Sequence, residues 1–191
     1  MSYRIEPIFS TPIYSSCVVD FEKIEYQIDK VIHKVNFNYR DQWGKTHMLS
    51  DVEFTEDIIK KLGLKSLSKE IDKHVRNYCN ELDYPFKKYS VKSWISKFNP
   101  GDYAHFHEHG DADISGVFYY KTTENDGDLV FLANQPMRTD KMFENLDISW
   151  WHKPVKGKLL LFPGWLTHCV KTNETDYERM SFSFNIYFDR L

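Results

Sequence analysis

The sequence predicts an α+β fold in which two N-terminal helices precede a body of short strands that forms a jelly roll or a barrel. Apolar residues recur at helical spacing over residues 21–36 and 66–82. From Tyr89 onward the apolar period changes to two, and Gly, Asn, Asp and Pro separate the segments at short intervals. The 191 residues fit a single domain, with strand and helical support in 1–88 and the strand-rich core in 89–191.

Composition excludes several classes of protein. The chain is 41% hydrophobic and 16% aromatic, which is enough for a sheet-rich core, and its net charge of −3 gives no electrostatic case for binding nucleic acid or an anionic membrane. No apolar run approaches the roughly 20 residues of a membrane span, and the N-terminus lacks the apolar stretch of a signal peptide. The three scattered cysteines argue against a disulfide framework and a cysteine zinc site, so we expect a cytoplasmic protein.

The N-terminal part is predicted to hold one extended segment and two helices. Residues 5–14 contain two prolines and fit an edge segment. Asp20 is expected to cap an amphipathic helix over 21–36, and a polar loop follows as far as Ser50. The second helix, 66–82, carries His74 at the edge of its apolar stripe, where a structural role is expected.

The second half is predicted to contain eight strands. Val, Ile, Tyr and Phe are enriched in these segments and turn residues bound them. The predicted strands are 90–98, 104–109, 114–121, 128–132, 148–152, 158–162, 166–171 and 179–188. The segment 133–147 has no clear period and is predicted to be a lid or substrate loop. Phe143, Trp150 and Trp151, in or beside it, either shape a substrate pocket or belong to the core.

The last predicted strand has one apolar face and one polar face. The apolar side chains are Met180, Phe182, Phe184, Ile186 and Phe188. The polar face carries Ser181, Ser183 and Asn185 and continues back to Arg179. This face is either solvated or lines a wet pocket inside the barrel, with Arg179 at its mouth.

Histidines are concentrated in one stretch of the chain. His105, His107 and His109 stand two residues apart, so a strand would project all three to the same side. Converging imidazoles suit Fe, Zn, Cu or Ni, whereas a histidine-rich surface loop is the plain alternative. A fourth histidine, His168, follows a strand and a Pro163-Gly164 turn, and its own flanking pattern favours a metal site.

These motifs resemble the non-haem iron and 2-oxoglutarate-dependent oxygenases. That family builds a double-stranded β-helix, a cupin-like jelly roll, and holds Fe(II) with an early His-x-(Asp/Glu) and a distal His; a basic residue about ten positions later binds the cosubstrate. His168 and Arg179 match the last two features. A subgroup of prolyl-hydroxylase-like oxygenases is closer, through the following residues: His107-Glu108-His109, Ser115-Gly116, Tyr119-Tyr120 and Arg179-Met180-Ser181-Phe182-Ser183-Phe184-Asn185.

The resemblance implies a dioxygenase that hydroxylates a substrate and releases succinate and CO₂. It implies Fe(II) bound by His107, His109 and His168, and no other catalytic side chain. It also implies that 2-oxoglutarate is bound by three residues of the later strands: Arg179, Ser181 and Ser115. The expected partners are a small-molecule or peptide substrate and a second copy of the chain in a homodimer, with no nucleic acid and no membrane.

The third metal ligand departs from the family pattern. His109 stands where Asp or Glu is usual, so the site has three imidazoles and one more unit of positive charge. Asp111 is an alternative ligand because His109-Gly110-Asp111 is itself His-x-Asp, and Asp113 follows. His105 is then expected to support or gate the site from outside the ligand set.

Two other interpretations share the predicted fold. Cupins carry His-x-His and a Gly-x5-Pro-x-Gly-x2-His-x3-Asn motif. Residues 157–173 come close to that motif, with Asn173 at its end, and Asp113 would replace the glutamate that cupins place after His-x-His. Such a protein binds metal without 2-oxoglutarate. A non-catalytic binding or structural jelly roll would bind neither.

Overall fold

The predicted double-stranded β-helix is confirmed: two antiparallel sheets face each other, and the helices cover the outer face of the larger one. The computed structural model describes residues 10–51, 56–133 and 149–189. The helices are α1 (Phe21–Asp29), α2 (Ile58–Lys61) and α3 (Lys65–Glu81). The strands are β1 (Tyr14–Cys17), β2 (Phe37–Tyr39), β3 (Met48–Ser50), β4 (Tyr89–Phe98), β5 (Ala104–His107), β6 (Ile114–Lys121), β7 (Leu129–Leu132), β8 (Ser149–His152), β9 (Lys158–Pro163), β10 (His168–Val170) and β11 (Arg179–Phe188).

The larger sheet has seven strands in the order β1-β9-β6-β11-β4-β3-β2, and the smaller has four in the order β5-β10-β7-β8. The ten-residue strand β11 lies at the centre of the larger sheet, paired along its whole length with β4 and over most of it with β6. Strand β10 lies between β5 and β7 in the smaller sheet. This arrangement places the start of β10 opposite the end of β5, which brings distant histidines together.

The two faces of the larger sheet pack against different partners. Its outer face joins the apolar sides of the helices in one core cluster, which includes Ile28, Val75 and Phe182. Its inner face joins the smaller sheet in a second cluster, which includes Val117 and Phe131. The apolar face of β11 therefore points toward the helices and its polar face toward the space between the sheets.

The first predicted helix is too long at its C-terminal end. Helix α1 ends at Asp29, a 3₁₀ turn follows at Ile32–Lys34, and Val35 is extended. The β-branched residues of this segment lose side-chain freedom in a helix, which favours its early end. Asp20 stands at the predicted N-cap position, but it adopts a φ of 54° and its side chain makes no cap hydrogen bond. Its carbonyl instead accepts hydrogen bonds from the amides of Lys23 and Ile24.

The predicted polar loop before Ser50 contains strands β2 and β3. These pair with each other, and β3 continues the sheet beside β4. These three-residue strands lie in a polar segment without an alternating apolar pattern, so they could not be predicted. Trp43 and His47 lie between β2 and β3 in the sequence. Because β3 pairs with β4, both residues line the space between the two sheets.

The eight strands predicted after Tyr89 are all present within a few residues of their expected ends. The predicted lid falls almost wholly in 134–148, outside the described residues, and Phe143 lies there too. Trp150 and Trp151 are 60% and 51% exposed on the edge strand β8, so they are not core residues. None of the helices in the described ranges is long and apolar enough to span a membrane.

Candidate metal centre and cosubstrate pocket

His107 lies at the end of β5, directly opposite His168 at the start of β10. The register shifts in this ladder: Val170 pairs with Ala104, so β5 carries one residue more than β10 over this interval. Such a bulge re-aims side chains. His105 is exposed and does not join the group of converging histidines, in line with its expected place outside the ligand set.

His109 reaches the same place from a turn and not from a strand. Strand β5 ends at His107, and the amide of His109 donates to the carbonyl of Gly164 at 2.9 Å. A Cβ on Gly164 would lie 2.0 Å from the carbonyl oxygen of Ala112, so only glycine allows the two turns to pack together. The Pro163-Gly164 turn thus fixes the position of His109.

The three histidines converge on one point. Ligand nitrogens of His107, His109 and His168 all lie within 4.8 Å of one another, and the Nε2 atoms of His109 and His168 are 3.2 Å apart. Among the described residues no carboxylate joins this group: Asp111 is exposed, and Asp113 accepts a hydrogen bond from the amide of Phe188.

Burial keeps the three imidazoles neutral, which is the form that binds metal. Burial lowers the pKa of His109 to about 3, with His107 adding to the effect. The pKa of His168 falls well below its usual value for the same reasons, and that of His107 is lowered by burial. Metal binding would therefore not have to compete with protons at neutral pH.

Backbone acceptors orient two of the three rings. Nδ1 of His107 lies 2.7 Å from the carbonyl oxygen of His105, and Nδ1 of His168 lies 2.8 Å from that of Leu166. A carbonyl only accepts, so each Nδ1 carries the proton and each Nε2 keeps a free electron pair. Nδ1 of His109 faces a side chain instead, the amide of Asn185 at 3.4 Å.

A cavity between the sheets extends from the histidines to Arg179. Trp43 and Trp94 line it beside His107 and His109, at ring-centroid distances of 5.0 Å and 5.5 Å. Further along, Ser181 and Arg179 line it from β11. The polar face of β11 is thus buried in a pocket, the second of the two roles considered from the sequence.

Arg179 is 1% exposed, and its guanidinium lies between the rings of Phe98 and Tyr119. Its Nη1 donates to the carbonyl of Gly127 at 2.7 Å, whereas its Nε and the hydroxyl of Tyr119 find no hydrogen-bond partner in the described part of the chain. Burial lowers the pKa of Arg179, while Tyr119 and two aspartates act in the opposite direction: Asp126 and Asp128.

Neither aspartate satisfies the guanidinium. The fully buried Asp126 accepts hydrogen bonds from Thr122 and Thr123, and Asp128 pairs with Lys171. Unpaired buried donors are costly, so the free Nε of Arg179 and the hydroxyl of Tyr119 mark a place for an anion with several acceptor oxygens.

Several residues of this cavity were not singled out from the sequence. Trp43 and His47 come from the segment predicted as loop, and no local pattern marks them. Trp94 could have been found, because it lies opposite the cavity residue Ser183 once the register of β4 with β11 is known. Tyr119 belonged to the Tyr119-Tyr120 motif, but its position beside Arg179 follows only from the fold. Asn185 belonged to the polar face of the last strand, but its partner His109 is 76 residues away.

The cupin alternative finds no support in these contacts. Asn173, which would complete the cupin pattern, is 1% exposed, and its amide donates to the carbonyls of Phe98 and Tyr177. The Asn173 side chain thus stabilises the neighbouring backbone and does not belong to the histidine group.

The model of a family described as "Putative 2OG-Fe(II) oxygenase" matches residues 92–185, a range that includes the three converging histidines and Arg179. This region belongs to the 2OG-Fe(II) oxygenase family. The resemblance inferred from the motifs is confirmed. The family description names the predicted cofactor Fe(II) and cosubstrate 2-oxoglutarate, and the three histidines form a possible iron site. None of the curated proteins matches the chain.

Solved structures of oxygenases share the fold at low sequence identity. A prolyl-4-hydroxylase from Pseudomonas putida superposes with a TM-score of 0.62 at 12% identity, covering 95% of each chain. EvdO2 from Micromonospora carbonacea var. aurantiaca complexed with 2-oxoglutarate gives 0.64 at 12% identity, covering 94% of this chain and 87% of that one. A prolyl hydroxylase from Trichoplax adhaerens, in complex with a hypoxia inducible factor peptide fragment, gives 0.61 at 14% identity, covering 92% and 83%.

Proposed function

We propose that this oxygenase hydroxylates its substrate, with Fe(II) held by His107, His109 and His168 and 2-oxoglutarate held by Arg179. One oxygen atom of O₂ would enter a C–H bond of the substrate, and the other would enter succinate as 2-oxoglutarate loses CO₂. The observation that carries the proposal is the buried guanidinium of Arg179, which lines the same cavity as three converging neutral imidazoles.

The three histidines suit Fe(II) by their chemistry. Each presents a neutral imidazole, and in two of them the backbone leaves Nε2 free for a metal. When bound, Fe(II) with 2-oxoglutarate supplies the activation of O₂ and the oxidising equivalents. The chain itself holds and orients these groups, and Trp43 and Trp94 exclude water beside them.

The far end of the cavity suits a dicarboxylate. Arg179 can offer a planar pair of N–H donors to a carboxylate, and Ser181 lines the same cavity. Tyr119, whose hydroxyl finds no partner among the described residues, lies beside the guanidinium. Ser115, the third residue predicted to contact 2-oxoglutarate, keeps that role as a prediction; its hydroxyl donates to Asn185 at 2.9 Å.

The substrate we propose is a small molecule or a peptide. The similar structures include a prolyl hydroxylase in complex with a peptide fragment, and the cavity presents the aromatic side chains of Trp43 and Trp94. The homodimer and the single-domain organisation with its boundary near residue 88 stay predictions.

The metal assignment is tested by the iron content of variants reconstituted with Fe(II) under anaerobic conditions. His168→Ala should lose stoichiometric iron, because it removes one of three ligands, and circular dichroism should show that the fold persists. Asp111→Ala is the matched control and should bind iron like wild type. Normal iron in His168→Ala would refute the three-histidine site, and loss of iron in Asp111→Ala together with tolerance of His107→Ala would favour His-x-Asp.

The cosubstrate assignment is tested by anaerobic calorimetric titration of the iron-loaded protein with 2-oxoglutarate. Arg179→Ala should bind at least about 30-fold more weakly, since truncating one partner of a buried charge-assisted pair costs about 2–5 kcal/mol. Arg179→Lys should recover only part of the affinity because an ammonium lacks the planar fork. The exposed arginine of α3 gives the control Arg76→Ala, which should leave affinity unchanged.

Equal affinities in wild type and Arg179→Ala would remove the 2-oxoglutarate role of this arginine. The reaction is followed separately, by succinate release in the absence of added substrate. Oxidation that proceeds equally well without any 2-oxo acid would favour the cupin-type function.

A further inference from the structure

The third histidine is held differently from the other two. His107 and His168 each direct Nδ1 at a backbone carbonyl, which fixes the proton on Nδ1 whatever else happens in the site. Nδ1 of His109 faces the side-chain amide of Asn185, which can present either an acceptor or a donor. The proton position on His109 therefore depends on a group that can turn over.

Asn185 is 7% exposed and belongs to a short chain of hydrogen bonds. The hydroxyl of Ser115 lies 2.9 Å from Oδ1, and Nδ2 lies 3.4 Å from Nδ1 of His109 and 3.5 Å from the hydroxyl of Tyr187. In this orientation Ser115 donates to Asn185, Asn185 donates to His109, and His109 carries its proton on Nε2. That proton then points at Nε2 of His168, 3.2 Å away.

A metal on Nε2 of His109 requires the opposite polarity. Nε2 must offer its electron pair, so the proton of the neutral ring must sit on Nδ1 and needs an acceptor. Turning the amide of Asn185 by 180° supplies this acceptor, because Oδ1 then faces Nδ1 of His109. Nδ2 would then donate to the hydroxyl oxygen of Ser115, and the hydroxyl of Tyr187 could donate to Oδ1. Each group in the chain therefore keeps a hydrogen bond.

We propose that Asn185 is the positioning residue of the third metal ligand: with Ser115 it reverses the polarity of this hydrogen-bond chain and so makes His109 competent to bind the metal. The proposal rests on the three-histidine site of the proposed function. It also gives a reason for an asparagine at this place. A neutral side chain that both donates and accepts satisfies both orientations, whereas an aliphatic residue satisfies neither.

The test compares two substitutions of similar size, Asn185→Asp and Asn185→Leu. Aspartate is an obligatory acceptor for Nδ1–H when ionised, and leucine offers nothing. Binding of Co(II), the probe metal, should weaken by 10–100-fold in Asn185→Leu, in line with the loss of partners behind metal-bound histidines. In Asn185→Asp it should stay within about threefold of wild type. Ser115→Ala should fall between these two.

A second measurement does not depend on affinity. In the Co(II) protein, proton NMR should show three strongly shifted, exchangeable imidazole N–H signals, one from each Nδ1–H. Asn185→Leu at saturating Co(II) should retain the signals of His107 and His168 and lose or broaden the third by exchange with water. Asn185→Asp should keep all three.

The outcomes separate this inference from the function on which it rests. Asn185→Leu with wild-type Co(II) affinity and three N–H signals would overturn the role of Asn185. Equal losses in Asn185→Leu and Asn185→Asp, in proteins that remain folded by circular dichroism, would reduce that role to packing and also overturn it. If His109→Ala binds Co(II) with the same affinity as wild type, the three-histidine site itself is refuted.

Discussion

The two faces of strand β11 have opposite characters although they share one backbone. Met180, Phe182, Phe184 and Ile186 point toward the helices and are at most 7% exposed, in a cluster of apolar side chains. Arg179 and Ser181 are buried to a similar degree but line the cavity between the sheets, and Asn185, also buried, contacts His109. Burial alone therefore does not distinguish the face that stabilises the fold from the face that carries the site.

The difference lies in whether buried polar groups are satisfied. On the helix side, removal of apolar surface from water supplies the stabilisation. On the cavity side, the Nε of Arg179 and the hydroxyl of Tyr119 are buried without partners in the described ranges, which is unfavourable in the absence of a ligand. We infer that the helix-facing core offsets the cost of a polar pocket that becomes complete when its cosubstrate binds.

The largest effect is expected from truncation on the helix-facing side. Phe182→Ala should lower the free energy of unfolding by about 3–5 kcal/mol, because Phe182 is fully buried among the helices and neighbouring strands. Urea unfolding measures this loss. Cosubstrate affinity, measured at a temperature where the variant remains folded, should not change. A loss below 1 kcal/mol would contradict the assignment of the main core to this face.

An intermediate effect is expected on the cavity side at acidic pH. Burial lowers the pKa of His47 from 6.5 to about 4, with further lowering by His107, Arg179 and His105. Between these two pH values the unfolded chain binds a proton that the folded chain does not, so stability falls as pH falls. The total loss from this residue is about 3 kcal/mol and levels off below pH 4.

His47→Gln removes this contribution. Its urea-unfolding free energy should fall less steeply from pH 6.5 to 4.5 than that of wild type, by up to about 1.4 kcal/mol per pH unit. Above pH 7 the two slopes should be equal, since His47 is neutral in both states there. Parallel curves across the acidic range would show that His47 titrates normally in the folded protein.

The smallest effect is expected at Ser181, the immediate neighbour of Phe182 on the opposite face. Ser181→Ala removes one hydroxyl from the cavity and should weaken 2-oxoglutarate by about fivefold, the equivalent of about 1 kcal/mol. Stability should change by less than 1 kcal/mol. A cosubstrate affinity equal to that of wild type in calorimetric titration would show that this hydroxyl does not contact 2-oxoglutarate.

Most strands after Tyr89 could be predicted because they lie in segments with an alternating pattern that are bounded by turn residues. The same rules failed for β2 and β3, which lie in a polar segment and are held by the pairing of β2 with β3 and of β3 with β4. They also overestimated the length of helix α1. Apolar residues continue at helical spacing past Asp29, but the backbone leaves the α-helical conformation there. Periodicity records which side chains face the core, and the segment after α1 packs Val31, Ile32 and Val35 partly buried against the core without a helix.

The sequence by itself determined the composition of the site: His107, His109, His168 and Arg179 stand in motifs that point to a metal and a carboxylate before any contact is known. Tertiary structure alone decided how they meet. His105 stays outside the histidine group, the Pro163-Gly164 turn positions His109, and strand pairing places Asn185 beside His109 and Tyr119 beside Arg179. Ligand geometry depends on contacts between residues far apart in the chain, and these arise only when the two sheets pack together.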